Sequence, residues 1–462
     1  YPTQGGGGYL PGSGYESYPG AGCNTCNVGG QGYGASAYGA CDSGNCGYST
    51  YGGMGAALSK HAGCGYWFGG VYGLLMERDN SNKYALAYVT DPSMPDAYPT
   101  MPTSTVLTTR NAAIGYQPGV EFRLGRAFGG GHDPCGCCCG PTWGFEAVYW
   151  TLFEDDGSAQ FYNPTPTSGT YTMMPMYGLE YDHGSVDGYM PVNQYWDHGA
   201  PSMPANDIRV TQVRVRSSFE VQNLELNLLR LNLCGGGCGP VMGAGVGMGP
   251  GVRLGGGYGM GAGGGCDPCG GGCAPCRGPR YSCTAVCGFR WMQFDEDFMF
   301  GVNFNNPNWG PNPSGFLDYR AEVENNLFGA QIGCNGMYRI GCKWGLHLNT
   351  LVGLYGNDID VRQYMNAPID NVRYIGTGED FDVRASKTDV AMIGELRIGA
   401  SYQATCRCRV YGGWRAIGVT GISLATEQTP TAFMSAAQMA NYVNSNGSLI
   451  LHGLQTGVEW NY

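Results

Sequence analysis

No stretch of this chain approaches the roughly 20 uninterrupted apolar residues that a membrane-spanning helix needs, so any membrane crossing falls to strands. Charge is scarce too, at 13% of residues, and the 25 Lys and Arg form no run. With a net charge of −11, nucleic acid is excluded as a partner, because phosphate neutralisation requires a basic stripe. The six histidines (His61, His132, His183, His198, His347 and His452) are scattered, and no GxSxG motif occurs. A hydrolase needs a nucleophile, a base and an orienting group, so an enzyme is not expected and no catalytic residue is assigned. The glycine runs at 5–8 and 255–265 lack a Walker lysine and a following helix, which removes a phosphate-binding loop.

What is present is equally one-sided. Glycine takes 81 positions, tyrosine 32 and cysteine 21 of 462, a mixture far from that of cytosolic domains. So many thiols point to an oxidising compartment, the periplasm or cell surface. The sequence starts at Tyr1 with neither a basic segment nor an apolar h-region, which fits an exported chain whose signal peptide has been removed. Residues 1–65 form a Gly/Tyr/Cys-rich arm without periodicity.

From residue 66 the pattern changes to long segments alternating apolar with small or polar residues, bounded by Gly, Pro, Asn and Asp. Main strands are expected near 66–78, 116–127, 142–154, 217–233, 283–300, 317–332, 343–356, 388–404, 409–424 and 449–461. Shorter β segments are expected near 82–91, 104–111 and 207–216. The period of two sets Val120, Phe122 and Leu124 against Glu121, Arg123 and Gly125, and Leu396 and Ile398 against Glu395 and Arg397. An apolar outside and a polar lumen explain this directly. A soluble β-sandwich or barrel is the alternative, but the strands are longer than the roughly 5–6 residues usual in globular sheets. Glu121, Arg123, Glu146, Arg290, His347, Glu395, Arg397 and Arg415 are the lumen-facing candidates. Opposed charges there either line an ion path or bridge into a filled interior, and about ten strands make a narrow barrel that favours filling. His347 and His452 are expected to look into the lumen as hydrogen-bonded fillers.

The cysteines group into an N-terminal set (Cys23, Cys26, Cys41, Cys46, Cys64), a second at Cys135, Cys137, Cys138 and Cys139, and a third at Cys234, Cys238, Cys266, Cys269, Cys273, Cys276, Cys283 and Cys287. Two pairs follow, Cys334 with Cys342 and Cys406 with Cys408. All are disulfide candidates. In an up-and-down barrel alternate connections share one end, so all the cysteine-bearing turns, the arm and the C-terminus are expected at one end, the periplasmic one. Cys334 and Cys342 flank Asn335–Arg339, read as a turn, and are placed to staple its base. The segment 234–282 is a Gly/Cys-rich periplasmic insertion, read as a plug, cap or assembly arm. Its paired CxxC motifs also have zinc or iron–sulfur spacing, but the compartment favours disulfides over metal. An odd total implies a free thiol or an intermolecular bond, hence oligomers. The acidic runs Glu154–Asp156, Asp295–Asp297 and Glu379–Asp380 admit structural calcium but lack EF-hand spacing, so no cofactor is assigned.

Gly288–Glu296 (GFRWMQFDE), Asn326–Gly333 (NLFGAQIG), Gly394–Tyr402 (GELRIGASY), Tyr411–Gly418 (YGGWRAIG) through Gln428, and Leu451–Gly457 (LHGLQTG) resemble segments of the planctomycete-type outer-membrane β-barrel porin family, the seventh of the β-barrel porin families. The resemblance spans about residues 66–462 apart from the insertion, and implies a transmembrane outer-membrane barrel without transferable site residues. The ending on Leu454, Thr456, Val458, Trp460 and Tyr462 resembles the C-terminal signal read by the outer-membrane insertion machinery. The reading is an all-β, antiparallel up-and-down transmembrane barrel of about 10–14 strands. It has a disulfide-linked periplasmic arm and insertion, sits in bacterial outer-membrane lipid, and is porin-like, plugged or a homo-oligomeric envelope unit. A purely structural surface lattice subunit is the alternative, and an outer-membrane hydrolase the weakest.

Overall fold

The computed structural model describes residues 66–79, 84–89, 104–128, 143–162, 170–172, 176–184, 188–196, 208–231, 280–305, 314–341, 343–405, 407–429, 432–433 and 435–461. Ten long strands in these segments form one closed antiparallel barrel. They are β1 (Tyr66–Asp79), β2 (Tyr116–Phe128), β3 (Trp143–Tyr162), β4 (Arg209–Arg230), β5 (Tyr281–Asn305), β6 (Ser314–Ile340), β7 (Trp344–Asn366), β8 (Asp382–Gln403), β9 (Cys408–Ile422) and β10 (Gly447–Asn461). Each strand pairs with its sequence neighbours, and β1 closes on β10 in the register Phe68↔Asn461 to Asp79↔Ile450. The up-and-down β-barrel expected from alternation is the fold.

All ten expected segments are strands, but β3 to β8 run further than alternation marks. β4 starts at Arg209 and absorbs the segment expected at 207–216. The segments near 82–91 and 104–111 appear as Ala85–Val89 and Ser104–Thr108, paired in a small sheet outside the barrel. β6 continues through Asn335–Arg339 to Ile340, and the turn is made at Gly341, whose φ of 65° needs glycine. Cys334 therefore lies within the strand opposite Thr350 and does not flank a turn with Cys342, contrary to expectation.

The outer wall has two zones. A row Gln222, Gln293, Asn326, Asp358 and Thr388 runs in register across β4 to β8. On the cysteine side of it the outward positions are apolar and exposed, among them Leu224, Leu228, Phe289, Phe328, Ile332, Leu348, Leu354, Val390 and Ile398. On the other side Glu220, Asp295, Glu324 and Asp360 form the next row. The acidic run Asp295–Asp297 is split by the pleat, since Glu296 is buried while its neighbours are half exposed, so the three carboxylates do not share a cation.

Inside, large side chains lie over glycines of the next strand. A Cβ on Gly125 would come within 2.2 Å of the Phe68 ring, and one on Gly457 within 2.4 Å of Tyr72. Glycine is needed at both positions to make room for the ring. Beyond the polar row, Val213, Phe298, Phe300, Phe304, Leu317, Tyr319, Ile359 and Val361 of the tall wall pack with Leu86, Leu179, Tyr181, Tyr195, Tyr374, Phe381 and Phe433 of the connections. This core caps the cysteine-free end.

Candidate functional site

The lumen gathers the charged residues, and strand pleating explains how. Where Leu224, Leu226 and Leu228 face out, Asn223, Glu225 and Asn227 face in. Five strands deliver charge to one level. Arg415 of β9 reaches Glu121 of β2 at 2.7 Å and Glu395 of β8 at 2.9 Å, and its guanidinium sits 4.5 Å over the Trp150 ring of β3. Arg290 of β5 spans to Glu395 at 2.9 Å and donates to Asn223 Oδ1 at 2.6 Å. Arg397 bonds Glu395 and lies 3.7 Å from Glu121 and 3.8 Å from Glu225. Arg123 meets Glu121 at 2.6 Å, and Gln455 and Gln331 donate to Glu121 and Glu225.

These contacts form a lattice across the barrel rather than a ring around a channel. Arg415 and Glu121 are 0% exposed, Glu225 1% and Arg290 2%. Such burial is tolerated only because each charge has opposite partners and hydrogen bonds. Above the lattice Leu152, Phe219, Val221, Met292, Phe294, Leu327, Ile393 and Ile417 fill the lumen. Higher still, Arg78 pairs with Glu296 at 2.9 Å, and Asn325 and Asn357 bond the backbone at Ser423 and Gly421.

Below the lattice, towards the cysteine-bearing end, lies a polar chamber. Arg123, Glu146, Asn335, Asn349, Arg397, Tyr72, Ser282, Thr284, His347, Arg409, Tyr411 and Glu459 line it. Glu459 accepts from Tyr72 at 2.6 Å and lies 3.4 Å from Arg409.

All eight lumen candidates thus lie on the inner side of the wall. Glu121, Arg123, Arg290, Glu395, Arg397 and Arg415 meet in the lattice, while Glu146 and His347 lie beside it. His347 Nε2 is 2.7 Å from Ser401 Oγ, and its ring packs edge-on against Tyr411. Among the described residues no carboxylate hydrogen-bonds to this pair in the manner of a nucleophilic triad. His452 does not look into the lumen as expected. It shares the parity of Ile450 and Leu454 on the outer face, where its ring stacks on Trp414 at 5.7 Å. The partners that the sequence reading passed over, Glu225, Asn223, Asn227 and Gln331, carry the same period-of-two signal as those it chose.

Of the disulfide candidates, four lie in described segments. Cys283, Cys287, Cys334 and Cys408 take outward parity at the end where the connections 129–142, 232–279 and 341–343 lie. Ala285 is opposite Cys334, which places Cys283 and Cys287 on its two diagonals. No disulfide joins the four. The other seventeen cysteines, with Tyr462, lie outside the described residues. Val458 is exposed on the outer face, and Trp460 pairs with Cys408 beside it.

No protein-family model matches this chain, and no curated protein matches it. Among solved structures it is similar to the outer membrane protease OmpT from Escherichia coli, at 10% identity over 88% of this chain and 99% of that one, with a TM-score of 0.32. It is also similar to a deltaS2S3 mutant of the TodX monoaromatic hydrocarbon channel, at 5% identity over 86% and 90%, TM-score 0.23. The Ralstonia pickettii toluene transporter TbuX follows at 8% identity over 90% and 91%, TM-score 0.18. Likenesses this weak assign no activity.

Proposed function

We propose that this chain is a bacterial outer-membrane barrel with an occluded lumen, acting as an envelope-organising unit rather than a diffusion pore. The observation that carries the reading is the buried ion lattice. A pore needs a hydrated path, whereas Glu121, Glu225, Arg290 and Arg415 lie across the lumen with almost no exposed surface. The apolar fill and the cap lie in series with it.

Membrane residence is supported by the outer wall. On β7 the outward positions from Trp344 to Gly356 are apolar or glycine apart from Thr350. At about 3.4 Å per residue and a tilt of about 40°, that is a band roughly 30 Å tall, close to a bilayer core. Outward Trp67, Trp143, Tyr281, Tyr338 and Trp344 near its cysteine-side edge fit an interfacial girdle. By the usual layout that edge is periplasmic. The outward parity of Cys283, Cys287, Cys334 and Cys408 sets these thiols toward partners outside the lumen, which supports disulfide-linked assembly with further copies or other envelope proteins.

The test is single-channel recording in a planar bilayer, with heat-modifiable gel mobility confirming a folded barrel. Silence before and after reduction is the expected result. Stable steps in the oxidised protein would overturn the reading, and steps only after reduction would instead indicate a cysteine-held plug.

A further inference from the structure

Among the charged groups of the lumen, Glu146 stands apart. It is 9% exposed, and among the described residues no cation or hydrogen-bond donor contacts its carboxylate. Its strand neighbours explain the isolation. Glu146 is paired with Gly125, which has no side chain, and with Asn227, whose amide groups are engaged with Glu225 and Gln331. The arginines of the chamber form their ion pairs elsewhere, Arg123 to Glu121, Arg397 to Glu395 and Arg409 to Glu459, and Arg123 acts on Glu146 only through its charge, without a contact. A second acceptor in the same chamber is also unmatched, since Asn349 Oδ1 is buried without a hydrogen-bond partner.

A buried carboxylate without a contacting partner is strongly disfavoured, and an unmatched buried carbonyl adds to that cost. Everything unmatched here is an acceptor, so what relieves it is a cation or a donor. Asn335, Ser282 and Thr284 add further oxygen atoms to the wall. No thiol takes part, and a second carboxylate, Glu459, is already held by Arg409 and Tyr72. One uncommitted negative charge with neutral oxygens suits a single positive charge better than a divalent ion.

We propose that this chamber is a binding site for a small monovalent cation, held by Glu146 and Asn349 and closed off from the opposite end by the ion lattice. It lies on the cysteine-bearing side of the lattice and does not depend on whether the barrel conducts.

The experiment uses the full chain folded in a non-ionic detergent. The midpoint of its heat-modifiable transition is followed while sodium, potassium or ammonium chloride replaces choline chloride at constant ionic strength. A saturable rise with at least one small cation and none with choline is expected, with an apparent affinity at least tenfold weaker in Glu146→Gln. Identical midpoints in all four salts would overturn the proposal and leave a carboxyl holding a proton. A saturable rise that survives in Glu146→Gln would place the cation elsewhere and overturn it too. If Glu146→Gln does not fold, Asn349→Leu is read instead, loss of the effect supporting the site and retention overturning it.

Discussion

Replacing Arg415 with methionine keeps most of the side-chain volume and removes a cation that holds both Glu121 and Glu395 closely, at 2.7 and 2.9 Å. Breaking a buried ion pair from one side costs about 3–5 kcal/mol, because a desolvated charge is left behind. Arg123 and Arg397 still face Glu121, and Arg290 still faces Glu395, so the lower figure applies. About 3 kcal/mol is roughly a 150-fold change in the folding equilibrium. Urea unfolding in detergent reads it through tryptophan fluorescence, and Trp150 beneath Arg415 makes the signal local. Glu121→Gln and the double variant complete a cycle. Since the two side chains touch, their effects should fall short of additive by about 2 kcal/mol. A loss below about 0.5 kcal/mol for Arg415→Met, or additivity within that margin, would mean that the lattice contributes nothing as a unit and would refute the reasoning.

In the cap, Phe433 is fully buried against Phe381 and Tyr319. Phe433→Ala should cost about 3–5 kcal/mol, seen as faster proteolysis of the cap connections while the barrel keeps its heat-modifiable mobility. Gly125→Ala should lower the unfolding free energy by about 1–3 kcal/mol, through the clash with Phe68, and Phe68→Ala in the same chain should recover part of it. Of the outer-wall thiols, exposed Cys287 should react with N-ethylmaleimide faster than half-buried Cys334 in detergent, as resolved by peptide mass. Reconstitution into vesicles should slow both, and unchanged rates would place β5 and β6 outside the bilayer.

Alternation made the barrel legible because the outward residues are apolar where the inward ones are packed polar groups. It worked where that contrast is sharp, as along Leu224–Leu228 and Leu396–Ile398. It stopped short where the wall rises past the row at Gln293, because there both faces change character. Arg214 and Arg216 face water while Val213 and Val215 face the cap, so the segment read as a separate element. Asn335–Gly336 resembled a turn by residue type, yet Met337 and Tyr338 continue the pleat and pair with His347 and Leu346. For His452 the local polarity misled, since a stacked Trp414 makes an outward histidine tolerable. Cross-lumen partners were not legible at all. Arg415 and Glu121 are 294 residues apart, and only closure of the barrel sets them face to face.

Closure also explains why the tall side of the barrel carries the cap. β5 and β6 have 25 and 27 residues, against 14, 13, 15 and 15 in β1, β2, β9 and β10. The extra length offers an apolar inner face with no opposite wall to pack against. The long connections supply that face, as Tyr195 and Phe304 show with ring centroids 4.9 Å apart. Burial pushes the Tyr181 hydroxyl up to about 12, so this side chain stays neutral through moderately alkaline pH. A channel would gain from leaving the tall face wet. Here the face is covered and the charges below it are neutralised in pairs, two independent uses of sequence that both fit the occluded lumen proposed above.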